Sequence, residues 1–267
     1  MSSVALALQD GIVVGKRNLI KITRVPEILV WIIMSPIMFV LLFSYVFGSM
    51  IEIPGMPYRE FLMAGIFTQT VIFGATFTGA SLAEDMTKGI IDRFRSLPMA
   101  RSAVIVGRTG ADIFYNITSL VLMAATGLVV GWRINTGIFE AAGGFLLLLT
   151  FAFAISWIMA YVGLKVSSVE VVNNASFMFI FPMTFISNAF VRSDFLPGPL
   201  KAFAEWNPVS SVAQAAREAF GNTGNIPPPD AWSLDNPIVY TLIWVGIILA
   251  VFVPLSIRQY NKSAGRA

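Results

Sequence analysis

Along this chain the apolar positions gather into long runs, separated by shorter stretches that hold most of the charge. Six runs, at 28–48, 61–83, 111–132, 141–164, 171–191 and 237–257, are each about as long as the ~20 residues needed to cross the hydrocarbon core of a bilayer. Only the third carries a charged side chain, Asp112, near its start. The runs are too long and too continuously apolar for the alternating segments of a barrel, so they predict helices, which satisfy their own backbone groups in lipid. Pro36 and Pro182 lie inside the first and fifth runs and are expected to kink them. The expected fold is an all-α polytopic membrane protein with six transmembrane helices.

Three stretches outside the runs have patterns of their own. In residues 1–27, Val4, Leu8, Ile12, Leu19 and Ile22 interleave with Gln9, Asp10, Lys16, Arg17 and Lys21, the pattern of a helix lying in the membrane interface. This reads either as a brace for the spans or as a plain surface anchor. Residues 84–108 hold three acids and five bases between two spans. With Lys88–Leu97 helical, Ile90, Phe94 and Leu97 fall on one face with Ile91 beside them. Lys88, Asp92 and Arg95 take the other face, and Pro98 ends the helix. The pattern fits a short docking rod, and equally an ordinary solvated loop whose bases set topology. Residues 192–236 are broken by prolines. There, Leu200–Trp206 suits two helical turns, and Asn207–Pro208 is a helix start with Asn at the N-cap and Pro at the first position. Val209, Val212, Ala216 and Phe220 share a face of that helix, and Gly221 can end it.

Charge sets the orientation. With the N-terminus inside, thirteen Lys and Arg fall on the inner side and five on the outer, which places both termini in the cytoplasm. Trp31, Trp132, Trp206, Trp232 and Tyr58 lie near span ends, where interfacial aromatics belong. The net charge of +3 needs no nucleic acid to explain it, because bases flanking spans suffice. No cleavable signal peptide is evident.

Composition agrees and excludes more. The chain has 267 residues, 56% of them hydrophobic and 12% charged, with a mean hydropathy of +0.75. It contains neither Cys nor His, which removes disulfides, thiol nucleophiles, the common zinc sites and the histidine general base. Within the spans, Gln69, Thr70, Thr76 and Thr78 lie in the second, while Asp112, Tyr115 and Asn116 cluster at the start of the third. Asp112 is four residues from Arg108, so a surface-level salt bridge is expected. Gly65, Gly74 and Gly79 suggest close helix packing. No pair of carboxylates suited to ion coupling emerges, no metal or catalytic residues are expected, and no residue is singled out for cargo.

The segment GIIDRFRSLPMARSAVIVGR at 89–108 resembles the corresponding loop of ABC type-2 exporter permeases, particularly the daunorubicin/doxorubicin-resistance branch. The likeness extends over nearly the whole chain, as a single transmembrane domain. It implies that Gly89, Ile90, Asp92, Arg93, Phe94, Arg95, Leu97 and Pro98 form a coupling helix that touches a separate ATPase subunit. It also implies that Trp206, Asn207, Pro208 and Arg217 belong to short helices that re-enter the outer leaflet and cover the exit. The chain has no G-x-x-x-x-G-K-[ST] phosphate loop, so ATP and magnesium would sit on the ATPase, in two copies, and the permease itself would not be an enzyme. Two permeases, identical or related, would surround the pathway in a bacterial plasma membrane. The implied cargo is lipophilic and drug-like, or lipid. A lipid-linked saccharide exporter of the same fold and an ATP-independent channel or scaffold are the alternatives.

Overall fold

A computed structural model describes residues 26–47, 55–91, 103–166, 168–224 and 230–263. The expected helix over 1–27 lies outside these up to residue 25, as do residues 92–102 of the 84–108 segment. The described residues are helical, with no strand among them. In chain order they form α1 (Pro26–Leu42), α2 (Tyr58–Gly74), α3 (Thr76–Thr87), α4 (Ala103–Val130), α5 (Ile138–Lys165), α6 (Val169–Phe185), α7 (Gly198–Trp206), α8 (Pro208–Ala219), α9 (Trp232–Asp235) and α10 (Pro237–Ser263). A π-helical turn, Phe43–Phe47, follows α1. Four stretches are long and apolar enough to cross a membrane: Tyr58–Thr87, which joins α2 and α3 through Ala75, then Val104–Val130, Ile138–Lys165 and Pro237–Lys262. The helices of the first and fifth runs, α1 and α6, are shorter, at 17 residues each, and contain Pro36 and Pro182. Each proline removes one rung from its helix.

The hub is α5, which packs against α10, α3, α8, α4 and α2. Apolar side chains gain little from leaving lipid, so such packing relies on close approach and van der Waals contact. The glycines show this. A Cβ at Gly163 of α5 would lie 2.2 Å from the Gly79 carbonyl of α3, and one at Gly65 of α2 would lie 2.0 Å from the Ala189 carbonyl. At one end of the bundle the rings of Phe67, Trp132, Phe145 and Phe220 meet, mostly edge to face, with centroids 4.8–5.7 Å apart. This is the far end. At the opposite, loop end, Ile91, Leu82, Ile105, Trp157, Leu164 and Tyr260 form a second cluster.

Two expected interfacial aromatics prove to be core. Trp132 is 1% exposed and its indole N–H donates to Asn222 (2.7 Å). Tyr58 is 5% exposed and its hydroxyl donates to the Phe190 carbonyl (3.0 Å). Each is covered by the 186–224 segment folding back over the span ends, which a linear reading cannot anticipate. Trp206 and Trp232 do remain about half exposed.

Replacing Gly163 with Val is expected to destabilise the protein by about 1–3 kcal/mol, through overpacking against α3. Gly246→Ala, at a position where an added Cβ meets nothing within 4 Å, should leave the melting temperature of the detergent-purified chain unchanged.

Candidate functional site: an aromatic cavity beside a buried ion pair

The helix entering the charged segment ends at Thr87, where Lys88 lies within 2.5 Å of Glu84. Gly89 then turns in the left-handed region (φ +63°), and Ile90 and Ile91 are helical again. The expected helix over Lys88–Leu97 therefore starts two residues late. Gly89, with no Cβ, is what permits the break. Ile91 is buried against α3 and α4, while Ile90 is half-buried. Asp92, Arg93, Phe94, Arg95, Leu97 and Pro98 lie outside the described residues.

One turn into the bundle, α4 is tied to α3 by charge. Arg108 Nη2 lies 3.2 Å from Asp112 Oδ1 and donates to the Phe77 carbonyl at 3.1 Å. The Thr78 hydroxyl donates to Asp112. The anticipated pair forms, but it is not at a surface: Arg108 is 9% exposed and Asp112 only 4%. The i, i+4 spacing is visible in sequence. Burial is not, because α3 supplies it.

Above this clamp is a cavity of about 540 Å³ between α1, α2, α3, α4 and α6. Its walls carry Phe39, Phe73, Phe77, Tyr115, Phe177, Phe181 and Phe185, together with the polar Ser35, Gln69, Thr70 and Thr76. Phe177, Phe181 and Phe185 recur every four residues on α6 and stack, with centroids 4.9 and 4.2 Å apart. That spacing is the sequence signal for this wall. On the opposite side, Phe77 and Tyr115 pack at 5.2 Å. An apolar, concave space of this size is typical of small-molecule sites.

Toward the far end, the proline-broken segment folds as its local signals predict. Asn207 caps α8, its Oδ1 accepting from Val209 N at 2.9 Å, with Pro208 at the first helical position. The Asn207 amide also donates to the carbonyls of Met183 (2.7 Å) and Ile186 (3.0 Å), thereby finishing α6. Gly221, at φ +68°, lies just past the end of α8. Val209, Val212, Ala216 and Phe220 are all buried, and α8 packs against α5, α10 and α2. Arg217 is 2% exposed. It donates to the Phe61 carbonyl (3.2 Å), to Gln214 Oε1 (2.9 Å) and to the Asn188 carbonyl (3.0 Å). Its guanidinium also sits 3.7 Å from the Phe61 ring centroid. Burial pulls the Arg217 pKa down to about 9, so the group stays charged at neutral pH. Thus Asn207 and Pro208 at the start of α8 and Arg217 in its last turn anchor the two ends of one helix, while the half-exposed Trp206 packs edge-on against Tyr240 and its carbonyl accepts from the Tyr240 hydroxyl (2.7 Å).

Two outcomes follow for melts of the purified protein. Arg217→Met removes a buried cation with its three hydrogen bonds, leaving Gln214 Oε1 only its bond from Asn188 Nδ2, for a loss of about 3 kcal/mol. Asp112→Ala leaves Arg108 buried and unpaired, costing about 3–5 kcal/mol, whereas the double variant Arg108→Met, Asp112→Leu should recover most of that loss.

The family model for ABC-2 type transporters matches residues 11–220. "Daunorubicin resistance ABC transporter permease protein DrrB1" of Streptomyces coeruleorubidus is 32% identical over 249 residues, which cover 93% of this chain and 85% of the relative. "Probable doxorubicin resistance ABC transporter permease protein DrrC" of Mycobacterium tuberculosis is 24% identical over 233 residues, 86% of this chain and 81% of the relative. With several apolar helices of spanning length, these likenesses identify a multi-pass membrane protein. The chain belongs to the ABC-2 type transporter family, as a permease.

Proposed function

We propose that this chain is the transmembrane permease subunit of an ABC exporter that moves lipophilic drug-like or lipid molecules out across a bacterial plasma membrane. A separate ATPase subunit, in two copies, drives it. The observation that carries the reading is the family match over most of the chain, together with relatives named for resistance to two related drugs. In this reading the chain crosses the membrane six times, as one domain, with α1 and α6 as the first and fifth crossings. The loop end and both termini face the cytoplasm. The α7–α8 corner re-enters the outer leaflet and covers the exit, held by Asn207, Pro208 and Arg217, with Trp206 at its surface.

ATP and magnesium are bound by the ATPase. Closure of the two ATPase subunits pushes on the helix containing Gly89, Ile90, Asp92, Arg93, Phe94, Arg95, Leu97 and Pro98. That helix lies between α3 and α4, and the clamp of Arg108, Asp112 and Thr78 makes the two helices move together. A buried clamp of this kind suits the role, because parting the helices would leave the Arg108 and Asp112 charges short of hydrogen bonds inside the bundle. A second permease, identical or related, completes the pathway. The cavity of about 540 Å³ suits one drug-sized molecule and favours such cargo over a saccharide chain.

Affinity-tagged chain from native membranes should co-purify with an ABC ATPase, and recovery of no ATPase overturns the reading. Phe94→Ala should lower ATPase recovery or transport per ATP by about tenfold, as loss of a buried aromatic anchor does at other interfaces. Membrane insertion should be unchanged. Wild-type levels of both complex and transport in that variant would remove Phe94 from the docking helix.

A further inference from the structure

The Gln69 side chain stands out in the wall of the aromatic cavity. It is 5% exposed, and its Oε1 is buried with no hydrogen-bond partner. A buried acceptor left unmade costs about 1–3 kcal/mol, and native proteins leave few of them. Its helix neighbours do not share the defect: the Thr68 hydroxyl donates to the Ala64 carbonyl at 2.8 Å, and the Thr76 hydroxyl to the Phe73 carbonyl at 2.7 Å. A second orphan lies close behind the same wall. Asn116 Oδ1 is buried without a partner, 2.5 Å from where a Cβ on Gly74 would stand, and Gly74 itself lines the cavity. Two amide oxygens without donors thus back an otherwise apolar space.

The remaining walls specify shape. The Phe177, Phe181 and Phe185 rings stack face on face, within 30° of their neighbours' planes, and so present a continuous row of ring edges. Phe73 meets Phe177 edge-on, at 6.3 Å and 63°. A flat aromatic guest can lay its face against that row of edges, the edge-to-face arrangement that ring pairs favour. The terminal torsion of a glutamine is soft, so the Gln69 amide can turn its oxygen onto a guest that brings a donor.

We propose that this cavity binds a flat aromatic molecule carrying an N–H or O–H group, and that Gln69 is the residue that recognises that group. The inference rests on the exporter reading and names the cargo chemistry of its site. Recognition follows from the asymmetry of buried hydrogen bonding. A guest with a donor gives Gln69 its missing partner, whereas the same guest with the donor methylated leaves the amide oxygen unpaired and adds a methyl group beside it.

The test uses acridone, which has one ring N–H, and N-methylacridone, which has none. Binding of each to the full-length chain in lipid nanodiscs is followed by fluorescence anisotropy, corrected against empty nanodiscs. Wild-type chain should bind acridone about tenfold more tightly than its N-methyl analogue. Gln69→Met should abolish that preference by weakening acridone, while Phe181→Ala should weaken both. Equal binding of the two probes by wild-type chain, or a preference that survives Gln69→Met, overturns the proposal. Wild-type chain photolabelled with an azidoacridone gives a readout that needs no variant. Label on α2 or α6 peptides supports the site, and label confined elsewhere overturns it. Co-purification with the ATPase is scored separately. A chain that pairs with its ATPase but does not discriminate the probes refutes this inference alone, and a chain that pairs with none refutes the exporter reading.

Discussion

A guanidinium sealed inside a helix bundle has to be given oxygen from within the bundle, and Arg217 draws it from three parts of the chain. Its donors reach α2 through the Phe61 carbonyl, the segment after α6 through the Asn188 carbonyl, and its own helix through Gln214. Those bonds hold α8 against the end of α2 and fix where the chain leaves α6. Along the same helix, the Asn188 N–H donates to the Ser210 hydroxyl oxygen at 2.8 Å, and Asn207 closes the last carbonyls of α6. Irregular backbone buried among helices is tolerated only where protein supplies its hydrogen-bond partners. These bonds supply them here, and the aromatic cluster of Phe67, Trp132, Phe145 and Phe220 packs beside them.

The clamp and the cavity share a residue. The Phe77 carbonyl accepts from Arg108, while the Phe77 ring lines the cavity and packs on Tyr115. The helix segment that Arg108 holds is therefore also a wall of the space. A displacement of α3 relative to α4 has to break two buried hydrogen bonds to charged groups, Arg108 to the Phe77 carbonyl and Thr78 to Asp112, before it changes the cavity, whereas a movement of the two together carries Phe77 and Tyr115 as a unit. Buried charge serves here as a constraint on relative motion more than as a source of stability.

What the sequence revealed and what it concealed divide along physical lines. Asn207–Pro208 was legible because capping is local: the donor and acceptor are two residues apart. The Arg108–Asp112 pair was legible for the same reason, but its burial was not, since Phe77 and Thr78 come from thirty-odd residues away. Trp132 read as an interfacial aromatic because it ends an apolar run, yet its partner Asn222 is ninety residues distant. The break at Gly89 was hidden by a helical pattern that continues across it, and only the backbone angle reveals it. The cavity went unread, although the four-residue repeat of Phe177, Phe181 and Phe185 along one helix face is present in the sequence. Its other walls come from four further helices, whose arrangement no periodicity encodes.

At Gly79 and Gly163, α3 and α5 meet backbone to backbone, with no side chain at that point between them. Two rods that touch backbone to backbone can rock about the point of contact without first being prised apart. From Gly79 to the end of α3 at Thr87 is about 12 Å along the helix axis, and to Phe77 about 3 Å, at the usual rise per residue. If α3 tilts about that point, its two arms differ about fourfold in length. A shift at the loop end is then reduced about fourfold at the cavity wall, and the force delivered there is raised by the same factor. Such a short-armed lever is suited to squeezing a ring out of a close-fitting slot, not to opening a wide passage.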